Sequence, residues 1–377
     1  MAGAFNNRGF LPHFLRVKWR TSFGRRITPP FVTLFVTTRC DEHCIHCFYW
    51  EELNPKLNQD MHLEEYEKSF ASMDEIYNLF IGGGEPFLRE DLAEIILAAA
   101  RLNSVANVYV PTNGQHTHHT LSVLERTLTN APQMRFHLNL SLDSTDEAQY
   151  DRIRGKKKAY CRMMETWKAV QPLRHRFPNL VVHTLTTVML ENQDQILDIY
   201  QELKTHFKPD GINFNYIRHK APEAEQLQVN EERYQALRQQ MEEDARSGTW
   251  RNYRRTSGGM LNDTLDREVR RTVARTVKKN APQFSCVAGR LACVIYSNGD
   301  VVECEIKNSP IGNLRQEGYD FRKIWFAEPA RQIAHAAANG CYCTHECGHY
   351  SSQIYSASSL TKIITKAAIA QASWKSL

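Results

Sequence analysis

From residue 31 to residue 219, short runs rich in β-branched and aromatic residues alternate with amphipathic helical patterns. Residues 31–38, 77–81, 107–110, 136–142, 180–189 and 211–217 read as strands. Helical periodicity marks 63–73, 92–101, 121–128, 159–170 and 193–206 between them. Parallel neighbours need long crossovers rather than tight hairpins, so this order predicts an α/β fold with a parallel sheet, a partial (β/α)6 barrel of the TIM type. In the fourth strand Phe136, Leu138, Leu140 and Leu142 share one face, and His137, Asn139, Ser141 and Asp143 the other. The sixth opposes Ile212, Phe214 and Tyr216 to Asn213, Asn215 and His219. A polar inner row departs from the apolar filling of a closed barrel and predicts an interior that holds a polar ligand. Further on, 291–296 and 301–304 flank the turn Ser297-Asn298-Gly299-Asp300, the pattern of a β-hairpin.

Five segments follow: a basic amphipathic stretch (1–30), the barrel (31–219), a helical, basic connecting region (220–280), a small cysteine-rich β-hairpin/helix domain (281–350) and an amphipathic tail (351–377). The 377 residues fit about two domains. Hydrophobic residues at 42% and charged residues at 24% place the chain among globular proteins rather than fibres or disordered tails. No apolar run approaches the length of a membrane span, and no signal-peptide pattern opens the chain, so a cytoplasmic location is expected.

Net charge is only +5 but unevenly distributed. Arg8, Arg16, Lys18, Arg20, Arg25 and Arg26 occupy the first 30 residues with no acid among them. Nine bases against Asp263, Asp266 and Glu268 fill 251–279, and Lys362, Lys366 and Lys375 follow the last acid, Glu346. Such zones suit an anionic partner, or are simply solvated faces. Phe10, Leu11, Phe14 and Leu15, and near the other end Leu360, Ile363, Ile364, Ala367 and Ala368, recur at helical spacing. They predict either ordinary docking helices or peripheral contact with a membrane surface.

Ten cysteines in a cytoplasmic chain point to metal ligands or reactive thiols rather than disulfides. Cys161 stands alone in a helical pattern and is expected as a small buried hydrophobe. Cys40-x3-Cys44-x2-Cys47 follows the first strand, where parallel β/α folds place their chemistry. Three thiolates at this spacing suit an iron-sulfur cluster with one open iron; zinc, with His43 or His46 as a fourth ligand, is the alternative.

The exit of the second strand, Gly82-Gly83-Gly84-Glu85-Pro86, changes the picture. With Cys40-x3-Cys44-x2-Cys47, it resembles the radical S-adenosylmethionine (radical SAM) superfamily over roughly residues 31–219. The resemblance implies that Cys40, Cys44 and Cys47 hold a 4Fe-4S cluster whose free iron chelates the amino and carboxylate groups of SAM. It implies that Gly83 and Gly84 admit the methionine moiety close to the backbone and that Glu85 accepts bonds from its amino group. By the same resemblance His46 packs on adenine, Ser141 and Arg154 contact ribose and carboxylate, and Asn113 and Asn192 occupy recurrent loop positions. Cys286-x12-Gly299-x4-Cys304, followed by Cys341-x-Cys343-x3-Cys347, resembles the SPASM and shorter twitch extensions that bind auxiliary clusters. One auxiliary 4Fe-4S cluster is expected, with Cys286, Cys304, Cys343 and Cys347 as preferred ligands and Cys341 and Cys293 as further candidates. A four-cysteine zinc ribbon is the alternative.

The implied activity is reductive cleavage of SAM to a 5'-deoxyadenosyl radical, hydrogen abstraction, and oxidation or bond formation on a small-molecule or lipid-linked anionic substrate. A reductant such as a flavodoxin or ferredoxin is expected. A ribosomal-peptide maturase is the alternative, although about 30 residues before the first strand leave little chain for a separate peptide-recognition domain. From another class, a non-catalytic metal-containing nucleic-acid-binding protein would explain the bases but not the Gly-Gly-Glu-Pro strand exit, so no nucleic-acid partner is expected.

Overall fold

The computed structural model describes residues 9–218, 220–250 and 259–374. Arg8, His219, Arg251, Arg254, Arg255 and Lys375 therefore lie outside the described residues. After helix α1 (Phe10–Ser22), strands β1 (Phe31–Thr37), β2 (Asn78–Gly83), β3 (Asn107–Thr112), β4 (Arg135–Ser141), β5 (Leu180–Val188) and β6 (Gly211–Tyr216) pair in parallel, in sequence order. The connections carry α2 (Leu63–Ala71), α3 (Leu92–Asn103), α4 (Thr117–Asn130), α5 (Glu147–Arg154), α6 (Ala159–Arg176) and α7 (Ile196–Glu202). Val32, Leu34 and Val36 of β1 and Phe136, Leu138 and Leu140 of β4 belong to the main apolar cluster, shared with Ile95, Ile96 and Leu124 of the helices. The short α5 is not among the expected helices. Asp146 starts it by accepting a bond from the Gln149 amide at 2.8 Å, and Gly155, in the left-handed region, ends it.

The sheet continues beyond β1. β7 (Ala292–Ile295) runs parallel to it, with Val32 opposite Cys293 and Leu34 opposite Ile295. β8 (Asp300–Val302) and β9 (Pro310–Asn313) then pair antiparallel. The result is one open nine-stranded sheet of order β6-β5-β4-β3-β2-β1-β7-β8-β9. The expected hairpin is present, and its strands extend the barrel sheet rather than forming a sheet of their own.

In β4 the inner row carries His137 and Ser141, as its alternation predicts, and aromatic rings of β1 to β3 continue it. Phe31, Phe80, Tyr109 and His137 stack in series at centroid separations of 4.6, 4.3 and 4.3 Å. His137 Nδ1 lies 3.0 Å from His183 Nε2. This ladder fills the interior early in the strands, and a cavity opens towards their C-terminal ends.

Below the ladder, the N-terminal ends of the strands are covered by α1 and by helices from the second half of the chain. That half carries, in chain order, α8 (Glu231–Ser247), α9 (Gly259–Lys279), α10 (Phe321–Trp325), α11 (Glu328–Ala338), α12 (Glu346–Ile354) and α13 (Ala357–Trp374), of which α9, α12 and α13 form the cover. Phe10, Phe14 and Val17 of α1, Leu265 and Val269 of α9, Tyr350 of α12 and Leu360 and Ile363 of α13 share a second cluster with Phe31 and Phe80. Three bases of the 251–279 zone are neutralised internally: Arg267 pairs with Asp263 at 3.1 Å, Arg270 with Asp266, and Arg271 with Glu268 at 2.7 Å and Glu242 at 3.0 Å, while Arg275, Lys278 and Lys279 stay exposed. Lys362 and Lys366 reach Glu268 at 3.2 and 2.5 Å, so the tail is a docked helix. Cys161 departs from its expected burial: it lies on the solvent face of α6, its thiol donating to Glu147 Oε1 at 3.3 Å.

Candidate active site

Cys40, Cys44 and Cys47 lie on the loop leaving β1, and three local devices fix its path. Asn54 clasps the Cys40 backbone from both sides, its carbonyl accepting from the amide at 3.0 Å and its amide donating to the carbonyl at 2.9 Å. The His43 and Ile45 amides donate to the carbonyls of Arg154 and Ile153, each at 3.0 Å, tying the loop to the end of α5. The Asp41 carboxylate takes bonds from Lys156 at 2.5 Å, Asn113 at 2.8 Å and His116 at 3.2 Å. Burial works to raise the Asp41 value, but those three partners hold it well below the usual carboxylate range.

The glycines serve this loop first. A Cβ on Gly84 would stand 2.1 Å from the Arg39 carbonyl oxygen, and one on Gly83, at φ +116, 2.3 Å from that of Thr37. The close approach the structure shows at these two positions is by the cysteine loop's own backbone. Gly155 plays the same part opposite His43. Glu85 is buried and already well partnered, accepting from the Asn113 amide at 2.7 Å, the Thr112 hydroxyl at 3.0 Å and the Phe87 amide at 3.0 Å. Burial nonetheless raises its carboxyl to about 7.

Cys40, Cys44, Cys47, His46, Gly83, Gly84, Glu85, Asn113, Ser141 and Arg154 border one cavity of about 210 Å³ at the C-terminal ends of the strands. Asn192 does not. Its side chain accepts from the Met189 amide and donates to the Asp143 and Thr187 carbonyls, which makes it a buried clasp beneath the site rather than part of its lining. Sequence reasoning missed Glu42 and Asp143. Arg154 sits 2.6 Å from Asp143, 3.7 Å from Glu42 and 3.6 Å from Cys44 Sγ. Burial pushes Glu42 up to about 8 despite Arg154, and holds the His46 imidazole down at about 4 although Asp143 lies 3.8 Å away. The alternation of β4 had already set Ser141 and Asp143 on the inner face.

The residues present fit a metal cluster with a polar ligand. Burial raises all three thiols, Cys40 to about 12, so they ionise only with compensation that a cluster would supply. Glu42 Oε1, His46 Nδ1 and Arg154 Nε are buried without partners among the described residues.

The late cysteines gather behind β1. Cys286, Cys293, Cys304, Cys341, Cys343 and Cys347 line a second cavity of about 60 Å³. Cys286 and Cys304 share a small apolar cluster with Cys341, and a bond from the Cys341 thiol holds Cys286 below its ordinary value. Cys347 Sγ instead lies within 4.8 Å of ligand atoms of Glu305 and His345. Cys293, opposite Val32 in register, borders this cavity too and also packs into the main apolar cluster.

Arg218, just past β6, stands between the two groups. Its guanidinium pairs with Glu305, lies 4.2 Å from the Phe48 ring centroid and borders both the first cavity and a neighbouring one of about 260 Å³. Glu305 in turn lies 3.5 Å from His345. Residues just past a parallel strand are where such folds put function, the signal that could have marked Arg218 in the sequence.

A thiol-rich cavity at the strand ends of an open parallel barrel, beside a second cysteine group, defines an iron-sulfur protein of α/β class. The radical SAM superfamily model matches residues 34–203 and the SPASM iron-sulfur cluster-binding model residues 286–348; the chain belongs to the radical SAM superfamily and carries a SPASM domain, with the 4Fe-4S clusters and SAM these domains imply. The GTP 3',8-cyclase of Saccharophagus degradans is 30% identical over 135 residues, 35% of this chain and 38% of that protein. That of Lactiplantibacillus plantarum is 29% identical over 193 residues, 50% and 53% respectively. The chain thus spans about half or less of these relatives' length. Streptococcus suis SuiB bound to S-adenosylmethionine superposes with TM-score 0.58 at 14% identity, over 88% of this chain and 72% of that one. The anSMEcpe protein with bound AdoMet gives 0.56 at 14%, over 89% and 96%. At such identity these two share the fold.

Proposed function

We propose that this radical SAM enzyme carries out an oxidation or bond formation on a small-molecule substrate placed between its two cysteine groups. The observation that carries the reading is the position of Arg218, which borders both the Cys40–Cys44–Cys47 cavity and the adjoining space next to the late cysteines. In this reading Cys40, Cys44 and Cys47 hold the SAM-binding cluster, and Cys286, Cys304, Cys341 and Cys343 hold the auxiliary one. Bound there, SAM and a reduced cluster supply a 5'-deoxyadenosyl radical able to take a hydrogen atom from substrate, and the auxiliary cluster supplies a second redox centre.

The chain's own residues bind and orient. Glu85 and Arg154 offer the first cavity an acceptor and a donor; Ser141 and Asn113 add neutral polar edges. Tyr216, Arg218, Tyr342 and His345 border the adjoining space, where substrate is placed. The basic zones are not part of this reading, since Arg267, Arg270 and Arg271 of one are paired with its own acids and the N-terminal one lies at the opposite ends of the strands.

The test is anaerobic reconstitution followed by reduction with SAM and a panel of GTP, other small molecules and peptides. About eight irons per chain and formation of 5'-deoxyadenosine are expected. The Cys40→Ala/Cys44→Ala/Cys47→Ala variant is expected to make none. Modification of a peptide alone would replace this reading with that of a peptide maturase.

A further inference from the structure

Helix α1 carries apolar side chains on two faces. One is docked: Phe10, Phe14 and Val17 enter the second cluster, and His13 stacks on Tyr77 at 4.3 Å with its Nε2 2.9 Å from the Tyr355 hydroxyl. The other is not. Leu11, Leu15, Trp19 and Phe23 follow one another at four-residue intervals and are 58, 56, 54 and 70% exposed. A helix anchored by one apolar stripe has no packing use for a second, and four large apolar groups in a row mark a contact surface.

The surroundings of this stripe say what covers it. Arg16 and Arg20 on one flank are engaged with Glu75 at 2.8 Å and Asp74 at 3.7 Å. On the other flank, Lys18, Arg25, Arg26, Arg290 and Arg331 border a cavity of about 390 Å³ with no carboxylate in its lining. Arg331 pairs with Glu328, and Arg26 donates to the Phe326 carbonyl. Lys18, Arg25 and Arg290 have no carboxylate partner among the described residues. Burial and the nearby Arg290 both lower the Lys18 value, as expected of a cationic recess lacking its anion. Arg25 lies 5.3 Å from the Trp19 ring centroid, so recess and stripe are continuous.

We propose that α1 docks the protein on an anionic phospholipid surface, with Leu11, Leu15, Trp19 and Phe23 in the acyl boundary and a lipid phosphate in the recess formed by Lys18, Arg25 and Arg290. Charge complementarity selects lipid: an apolar stripe ending in aromatic rings, bordered by uncompensated bases, is the pattern of a helix lying in a membrane interface. No described helix is long and apolar enough to cross a membrane, so the contact is peripheral. The proposal is independent of the reaction proposed above.

The experiment is sedimentation of the full chain, clusters reconstituted, with vesicles of phosphatidylcholine alone and of an equal mixture with phosphatidylglycerol. Binding to the mixed vesicles only, weakened by salt, is expected. Leu15→Glu/Trp19→Glu is expected to weaken binding at least about tenfold, and Lys18→Gln/Arg25→Gln to remove most of its salt dependence. Both variants change exposed or half-buried positions that line neither cysteine cavity, so 5'-deoxyadenosine formation serves as the check on folding. Absence of binding by the unaltered protein, or equal binding by the variants, overturns the proposal. So does self-association abolished by Leu15→Glu/Trp19→Glu without vesicle binding, which would give the stripe to a second copy. Occupation of the recess by inorganic phosphate without vesicle binding would make it a site for free anions and equally overturn the proposal.

Discussion

A methyl group at position 84 would overlap the Arg39 carbonyl oxygen, and neither backbone can retreat without moving Cys40. Gly84→Ala is therefore expected to cost the first site most of its iron while far-UV circular dichroism stays unchanged; iron counting of the reconstituted variant checks it. The late cysteines offer a paired test. Cys341 bonds to Cys286, whereas Cys347 faces Glu305 and His345. Cys341→Ala is expected to reduce iron from about eight to about four per chain, and Cys347→Ala to leave it near eight. The opposite pattern would restore Cys347 to the ligand set. The cysteine spacings alone could not rank these two, because a loop fixes sequence distance and not the direction of a thiol.

Between elements, the clearest single fastening is Glu268 on α9, which receives Lys362 and Lys366 from α13 and Arg271 from its own helix. Burial opposes its ionisation, yet these three partners hold it at about 2, below the ordinary 4.5. A lowered carboxyl stabilises the fold above its ordinary value and loses that contribution as pH falls from about 4.5 towards 2. Glu268→Gln should thus lower unfolding free energy by about 1.5–3 kcal/mol at neutral pH. Denaturant titrations of both proteins should converge as the pH is taken below 4.5. The strands were legible because each is a short β-branched or aromatic run between breakers; all six lie where the pattern puts them. α5 was not, since eight residues holding only Tyr150 and Ile153 as buried apolar groups give no readable period. In α9 the bases read as an exposed zone, but acids three or four residues away draw Arg267, Arg270 and Arg271 into pairs, and only Arg275, Lys278 and Lys279 among the described ones stay exposed. The amphipathic N-terminus was legible as a helix. Its two apolar faces could not be told apart without the cluster that claims one of them.

Across the whole molecule, what the pattern of six repeats could not show is the neighbour of β1. That strand carries the first cysteine loop at its end and takes β7 along its free side, through Phe31–Ala292 to Leu34–Ile295. Without β7, a strand buried along its whole length would become an edge, with a row of unpaired amides and carbonyls along Phe31 to Leu34. Edges of that kind template pairing between chains. A chain ending at Asn280 would keep all six barrel strands and the three early cysteines, yet is expected to associate and precipitate rather than behave as an independent barrel. Light scattering of the truncated protein against the full chain tests this, and a stable monomer would refute it. The cysteine-rich half is, on this account, an obligatory edge guard, and the late cysteines cannot be shed as a detachable module without exposing the sheet that presents the early ones.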